Sequence, residues 1–192
     1  MASIEQPACK ISDERRRSKP TVNLFKADLA LRLLLLVAAV AVLVLMLTGD
    51  QTVHFGIPFS SFSLTLSAKY NYSPAFVYLL VALAVAAVYS LLTAVVAALS
   101  VRKPSPPAKL LFLLTLLDVI MLGVVASATG AGASVGYVGL KGNSHTGWMK
   151  ICNIYGDFCR HVGVATIVSL VSSFILILLV IISTYSLYRR SS

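Results

Sequence analysis

The sequence predicts an all-α fold, an integral membrane bundle of four transmembrane helices with both termini in the cytoplasm. Three observations predict it. The 192 residues are 58% hydrophobic and only 12% charged, with a mean hydropathy of +0.88, whereas soluble domains carry about 25% charged residues. The apolar residues gather in four long stretches, and most lysines and arginines lie on one side of them. These features exclude a large soluble domain and intrinsic disorder of the whole chain.

Each of the four stretches is long enough to cross a bilayer as a helix, which takes about 20 apolar residues. Their predicted bounds are 29–48, 75–99, 110–131 and 162–187. A cleaved signal peptide is the alternative for the first stretch. Its apolar run exceeds the usual length of about 7–15 residues and no A-x-A-like site follows it, so we expect a retained membrane anchor.

The distribution of lysine and arginine predicts the orientation of the spans. Eleven of them lie in the leader, the loop between spans two and three, and the C-terminal tail: Lys10, Arg15, Arg16, Arg17, Lys19, Lys26, Arg102, Lys103, Lys109, Arg189 and Arg190. The other two loops carry four: Lys69, Lys141, Lys150 and Arg160. Because positive residues stay on the cytoplasmic side, both termini are predicted to be cytoplasmic, and loops 49–74 and 132–161 to face outside.

This orientation divides the chain into three parts. Residues 1–28 are predicted to be a basic cytoplasmic tail without fixed structure, residues 29–188 the four-span membrane domain, and residues 189–192 a short cytoplasmic tail. The net charge of +9 then marks the cytoplasmic face and its attraction to anionic membrane lipid, and we expect no binding of nucleic acid.

Arg32 and Asp118 are the charged side chains that interrupt the predicted spans. A charge at the centre of a membrane helix costs about 2.5–3.5 kcal/mol, so such residues usually pair. Spans one and three run in the same direction, and the positions place Arg32 about 4–8 Å shallower than Asp118. We expect a buried pair, with a further hydrogen bond from Thr115. The alternatives are that Arg32 extends to the headgroups, and that Asp118 is a proton or ion site of a small transport protein.

Cys152 and Cys159 lie close together in the second outer loop. Because an exoplasmic compartment is oxidising, we expect a disulfide between them. A free pair is one alternative. A metal site that includes His161 is another, although the spacing fits no common zinc pattern.

The remaining motifs carry weaker signals. Asn71 begins an N-Y-S glycosylation sequon, but its closeness to span two and the following Pro74 predict little use. The glycine-rich segment 128–139 is expected to loosen the outer end of span three. The small-residue pairs Gly123/Ser127 and Ala126/Gly130 allow close helix packing. We find no catalytic constellation, so we expect no enzyme activity, no cofactor and no metal.

Together these features resemble the Casparian strip membrane domain protein family, and more distantly the MARVEL-type four-span proteins. The resemblance rests on Arg32, Asp118, the segment C-N-I-Y-G-D-F-C-R-H-V-G, the C-terminal S-T-Y-S-L-Y-R-R and the segment Y-N-Y-S-P-A-F-V-Y before span two. The first outer loop lacks the motif of the strip-forming members, so a Casparian-like member is expected.

The resemblance implies a non-enzymatic plasma-membrane scaffold that organises a membrane domain. Such a scaffold forms homodimers or higher homo-oligomers, and hetero-oligomers with related four-span proteins. It also implies recruitment of cell-wall-modifying proteins.

Overall fold

The structure, a computed structural model, describes residues 7–56, 63–101 and 108–191. Arg102 and Lys103, which were counted above for the orientation, lie outside the described residues. The regular elements in chain order are α1 (Pro7–Thr48), β1 (Gln51–Gly56), β2 (Ser63–Ala68), a 3-10 turn (Tyr70–Tyr72), α2 (Pro74–Val101), α3 (Ala108–Lys141), a second 3-10 turn (Ile151–Asn153) and α4 (Gly156–Ser191).

All four α-helices are long and apolar enough to cross a membrane, which confirms the predicted all-α, four-span fold. The candidate membrane-crossing segments are Lys26–Thr48, Pro74–Leu99, Lys109–Lys141 and Gly156–Arg189. Their outward faces are apolar and exposed, as at Val37 on α1 and Ile167 on α4. In water such surfaces would drive aggregation, whereas in a bilayer they contact lipid.

The helices form a ring in which each packs against two neighbours. α1 and α3 both pack against α2 and α4, so α1 and α3 lie on a diagonal of the bundle. The core between them contains aliphatic side chains from every helix, among them Leu35, Leu83, Val125 and Leu176. A group that reaches from α1 to α3 must therefore cross the centre of the bundle.

The glycine-rich end of α3 differs from the expectation stated above. We expected span three to end at residue 131 and segment 128–139 to be loosened, but α3 continues to Lys141. A Cβ at Gly132 would lie 3.1 Å from Leu79 Cδ2, and one at Gly136 3.3 Å from Val162 Cγ1. These glycines let α2 and α4 approach closely, and this packing compensates for their low helix propensity.

The N-terminal segment differs from its expected lack of fixed structure, and the short C-terminal tail continues α4. α1 begins at Pro7 within the segment 1–28, for which no fixed structure was expected, and α4 continues to Ser191. Extending an existing helix costs far less than starting one, and lysine, arginine and glutamate favour helix. The helical backbone therefore continues beyond the apolar stretches.

A β-hairpin lies at the end of the bundle where α1 ends and α2 begins, which we call the hairpin end. β1 and β2 are antiparallel, with Gln51 opposite Ala68 and Val53 opposite Leu66. The side-chain oxygen Oε1 of Gln51 accepts a hydrogen bond from the backbone N–H of Phe158 (3.0 Å). That N–H belongs to the first turn of α4, where backbone donors lack partners within the helix, so the hairpin is attached to α4.

Candidate functional site

The centre of the site is a bidentate ion pair between Arg32 on α1 and Asp118 on α3. Arg32 Nη1 donates to Asp118 Oδ1 (3.2 Å) and Nη2 donates to Asp118 Oδ2 (3.1 Å). Arg32 is 1% exposed and Asp118 is 0% exposed. The planar guanidinium matches the two carboxylate oxygens. The long arginine side chain spans the difference in depth between Arg32 and Asp118 that the sequence positions imply. Arg32 does not extend to the headgroups.

Two residues that the sequence analysis did not assign complete this network. Asp28, one helical turn before Arg32, accepts a hydrogen bond from its Nε (3.0 Å), as expected of an i, i+4 pair. The Tyr89 hydroxyl on α2 donates to Asp118 Oδ1 (2.6 Å). Three helices therefore meet at one carboxylate.

The hydroxyl groups nearby have other partners. Ser90 Oγ on α2 donates to the backbone carbonyl of Arg32, which joins α2 to α1 at the same level. Thr115 was expected to bond to Asp118, but its hydroxyl donates to the carbonyl of Leu111 (2.9 Å). A threonine in a helix readily satisfies its hydroxyl on the preceding turn, and Tyr89 occupies the position beside the carboxylate.

The network is closed on itself. Among the described residues, every buried side-chain nitrogen or oxygen has a hydrogen-bond partner. Because α1 and α3 lie on a diagonal, the Arg32–Asp118 pair connects helices that otherwise pack mainly through α2 and α4. An ion pair that is fully hydrogen-bonded in this way fixes the relative position of its helices.

Replacing Tyr89 with phenylalanine is expected to lower the free energy of unfolding by about 0.6–1.7 kcal/mol, the range of hydrogen bonds between membrane helices. The change removes the donor 2.6 Å from Asp118 Oδ1 and leaves the ring in place. The free energy of unfolding in mixed detergent micelles measures this loss. The matched control is Tyr78→Phe on the same helix, whose hydroxyl bonds to Ser127 at an exposed position. A smaller loss is expected there, because the exposed partner is not left buried without a hydrogen bond. An equal loss in both variants would contradict a special role for Tyr89.

Cys152 and Cys159 form a disulfide at the hairpin end, with 5.6 Å between their Cα atoms. It ties the second 3-10 turn to the first turn of α4. Both thiols are used in the bond, so neither offers a thiolate to a metal together with His161. The ring of Phe158, next to Cys159, meets Phe76 of α2 edge to face with centroids 6.0 Å apart.

The other sequence-predicted site residue lies apart from these groups. Asn71 is exposed in the 3-10 turn before α2, and its glycosylation stays a prediction. In the part of the chain that the structure describes, no cluster of three or more histidine, cysteine or acidic side chains has the arrangement of a metal site.

Comparison with known proteins places these residues in a family. The family model described as the Casparian strip membrane protein domain matches residues 22–175. The chain belongs to the Casparian strip membrane protein family. The matched region contains both members of the ion pair, Tyr89 and both cysteines of the disulfide.

Individual members of the Casparian strip membrane protein family are similar over nearly their whole length. CASP-like protein 1D1 of Musa acuminata is 49% identical over 94% of this chain and 96% of its own. CASP-like protein Ni6 of Beta vulgaris subsp. maritima is 50% identical over 89% of this chain and 88% of its own. CASP-like protein 1D1 of Populus trichocarpa is 45% identical over 99% and 98%. No solved structure matches the chain.

Proposed function

We propose that this protein is a non-enzymatic scaffold of the plasma membrane that oligomerises and organises a membrane domain. The observation that carries the proposal is the closed network around Arg32 and Asp118 at the centre of a four-span bundle. Its charged groups bond to one another, and the central pair of Arg32 and Asp118 is almost fully buried and so closed to a solute. Such a network supports a rigid building block, and membership of the Casparian strip membrane protein family supports the same role.

The charge distribution supports cytoplasmic termini. Lys26 and Lys109 begin the first and third membrane-crossing segments, and Arg189 ends the fourth. These three basic residues share one end of the bundle, whereas Lys141 alone bounds a segment at the hairpin end, and this excess suits the anionic cytoplasmic leaflet. The hairpin end then faces the cell wall, where an oxidising environment suits the disulfide. Its loops are the surface through which we propose that cell-wall-modifying proteins are recruited.

An outward-facing strip of small residues on α3 supports oligomerisation. Gly123, Ala126, Ser127 and Gly130 are all exposed on the outside of the bundle. A Cβ at Gly123 or Gly130 would meet no atom within 4 Å. Small residues allow helices of two molecules to approach closely in lipid. We propose that this strip takes part in homodimers or higher homo-oligomers, and in hetero-oligomers with related four-span proteins.

Two differently tagged copies expressed in plant cells are expected to co-precipitate, and a fluorescent fusion is expected to form patches with little recovery after photobleaching. The double variant Gly123→Leu with Gly130→Leu is expected to lose co-precipitation and to recover quickly, because its side chains keep the α3 surfaces apart. Ala98→Leu, which adds bulk at an exposed position of α2, is the control and should behave like the unaltered protein. Fast recovery of the unaltered protein would overturn the proposal.

Small ion or proton transport through Asp118 gains no support from the site. Both carboxylate oxygens are engaged by Arg32, and Tyr89 also bonds to one of them. A carrier needs a carboxylate that a solute or a proton can reach. Purified protein in liposomes is therefore expected to show no flux of protons or alkali cations above that of empty liposomes. A flux that Asp118→Asn abolishes would favour transport over the scaffold.

A further inference from the structure

An apolar cavity of about 300 Å³ lies at the hairpin end between α3 and α4. Its walls include Gly136 and Leu140 of α3, Val162 and Gly163 of α4, and the disulfide through Cys159. The hydroxyl of Thr166, also in the wall, donates to the carbonyl of Val162 (2.8 Å) and is satisfied within its own helix. The cavity is therefore a space for an apolar group, and water has little to bind there.

The dimensions of the cavity suit one hydrocarbon chain. Its lining extends along α4 from Phe158 to Thr166, which is about 12 Å at 1.5 Å per residue. One leaflet of the hydrocarbon core is about 15 Å thick, half of the whole. The lining residues of α3 and α4 fall within the candidate membrane-crossing segments Lys109–Lys141 and Gly156–Arg189. Its volume is at the lower limit of ligand pockets, about 300–1,000 Å³, which suits a single chain and excludes a whole lipid.

Three basic residues, which we call the basic rim, adjoin the lining of the cavity along the chain. Lys141, Lys150 and Arg160 are exposed and are sequence neighbours of the wall residues Leu140, Ile151 and Cys159. Asp157, which precedes Phe158, is the one acidic residue that likewise adjoins a lining residue, so the charged neighbours of the lining sum to +2.

The loop beside the rim has the composition of a membrane interface. Trp148 is 62% exposed and Met149 is 83% exposed. A tryptophan with an exposed ring prefers the headgroup level, and this position would place the basic rim beside the phosphate groups.

We propose that this cavity holds one acyl chain of a membrane phospholipid whose phosphate group lies against Lys150 and Arg160. Unfilled, the walls would lack the dispersion contacts that close packing supplies. A chain of a neighbouring lipid restores these contacts, and the basic rim selects a lipid with a negative phosphate. The site is independent of the Arg32–Asp118 network and of the outward strip on α3.

Photolabelling with a phosphatidylcholine that carries a diazirine on one acyl chain tests the proposal. The full chain is reconstituted in bilayers of unlabelled phosphatidylcholine, irradiated, and its labelled peptides are identified by mass spectrometry. Labels are expected to concentrate on 133–140 and 158–166. In Gly163→Leu the wall labels are expected to fall to the level of the outward face of α1, because the new side chain enters the cavity.

The matched control is Gly163→Ala, which raises the helix propensity by about as much as Gly163→Leu does. It leaves the cavity open, since a Cβ at this position meets nothing within 4 Å. It should keep the wall labels. Ala133→Leu fills the same space from α3 and should repeat the loss seen with Gly163→Leu. Labels spread over all four helices according to lipid exposure, or wall labels unchanged in both filled variants, would overturn the proposal.

Labelling by two lipid probes, one with a phosphate group and one without, tests the phosphate contact. In the double variant Lys150→Ala with Arg160→Ala, wall labelling by the phosphatidylcholine probe is expected to decrease, while labelling by a diacylglycerol with the same diazirine chain stays unchanged. Equal labelling by both probes in the unaltered protein would overturn the role of the basic rim.

Discussion

Asp118→Ala is expected to destabilise the bundle by about 3–5 kcal/mol, the cost of removing one partner from a buried ion pair. Arg32 would stay buried with the partner of its Nη1 and Nη2 atoms removed, and would keep only the Nε bond to Asp28. The Tyr89 hydroxyl would lose its acceptor at 2.6 Å as well. The free energy of unfolding in mixed micelles measures the effect. The yield of monodisperse protein after purification is expected to fall with it.

A double-mutant cycle separates the pairing from the loss of either residue. Arg32→Leu alone leaves Asp118 buried without its guanidinium, and Asp118→Leu alone leaves Arg32 buried without its carboxylate. From each of these single variants we expect a loss similar to that of Asp118→Ala. Arg32→Leu with Asp118→Leu removes both charges together and is expected to recover most of the stability, because apolar residues of similar size often replace a buried pair at little cost. If the double variant loses the sum of the two single losses, the residues are not coupled and the pairing is wrong.

The exchanged pair, Arg32→Asp with Asp118→Arg, is expected to recover less than the double leucine variant. The exchange places two carboxylates four residues apart on α1, where like charges repel. It also directs the Tyr89 hydroxyl at a guanidinium, which has no acceptor atom. Recovery by leucine without recovery by exchange would therefore show that the surrounding network fixes the orientation of the pair.

The charged centre of the site could be identified from the sequence because lipid makes charge expensive. Arg32 and Asp118 are conspicuous in apolar stretches, and opposite signs on parallel spans favour a pair. Asp28 was a missed signal, since it lies four residues before Arg32 at the edge of the span. Tyr89 was another, because it lies in the middle of span two, far from the interfaces where membrane tyrosines concentrate.

Other features depend on contacts that no local pattern contains. The helix at Gly132 and Gly136 is supported by Leu79 and Val162, which are distant in the sequence. Without those neighbours, repeated glycine indicates a weak helix. The hairpin had a partial signal in the alternating segment S-L-T-L-S, but its attachment to α4 through Gln51 requires the fold itself.

Cys152→Ser with Cys159→Ser is expected to lower the free energy of unfolding by about 2–3 kcal/mol, the stabilisation given by closing a loop of this length. The loop spans a sequence separation of 7 and joins the second 3-10 turn to the first turn of α4. Without the disulfide, the first turn of α4 depends on the hydrogen bond from the Phe158 N–H to Gln51 and on the ring contact between Phe158 and Phe76. We expect local opening at the hairpin end before the bundle unfolds, measurable as faster hydrogen exchange at 151–160.

Thiol counting decides whether the bond is present at all. The chain has three cysteines, so maleimide labelling of the denatured, unreduced protein is expected to modify Cys9 alone and to modify all three after reduction. Cys9→Ser is the matched control, with no labelling before reduction and stability equal to that of the unaltered chain. Three reactive thiols before reduction would contradict the disulfide. If only Cys9 reacts and the double serine variant still unfolds like the unaltered protein, the bond forms but the packing of α4 against α3 alone holds the hairpin end.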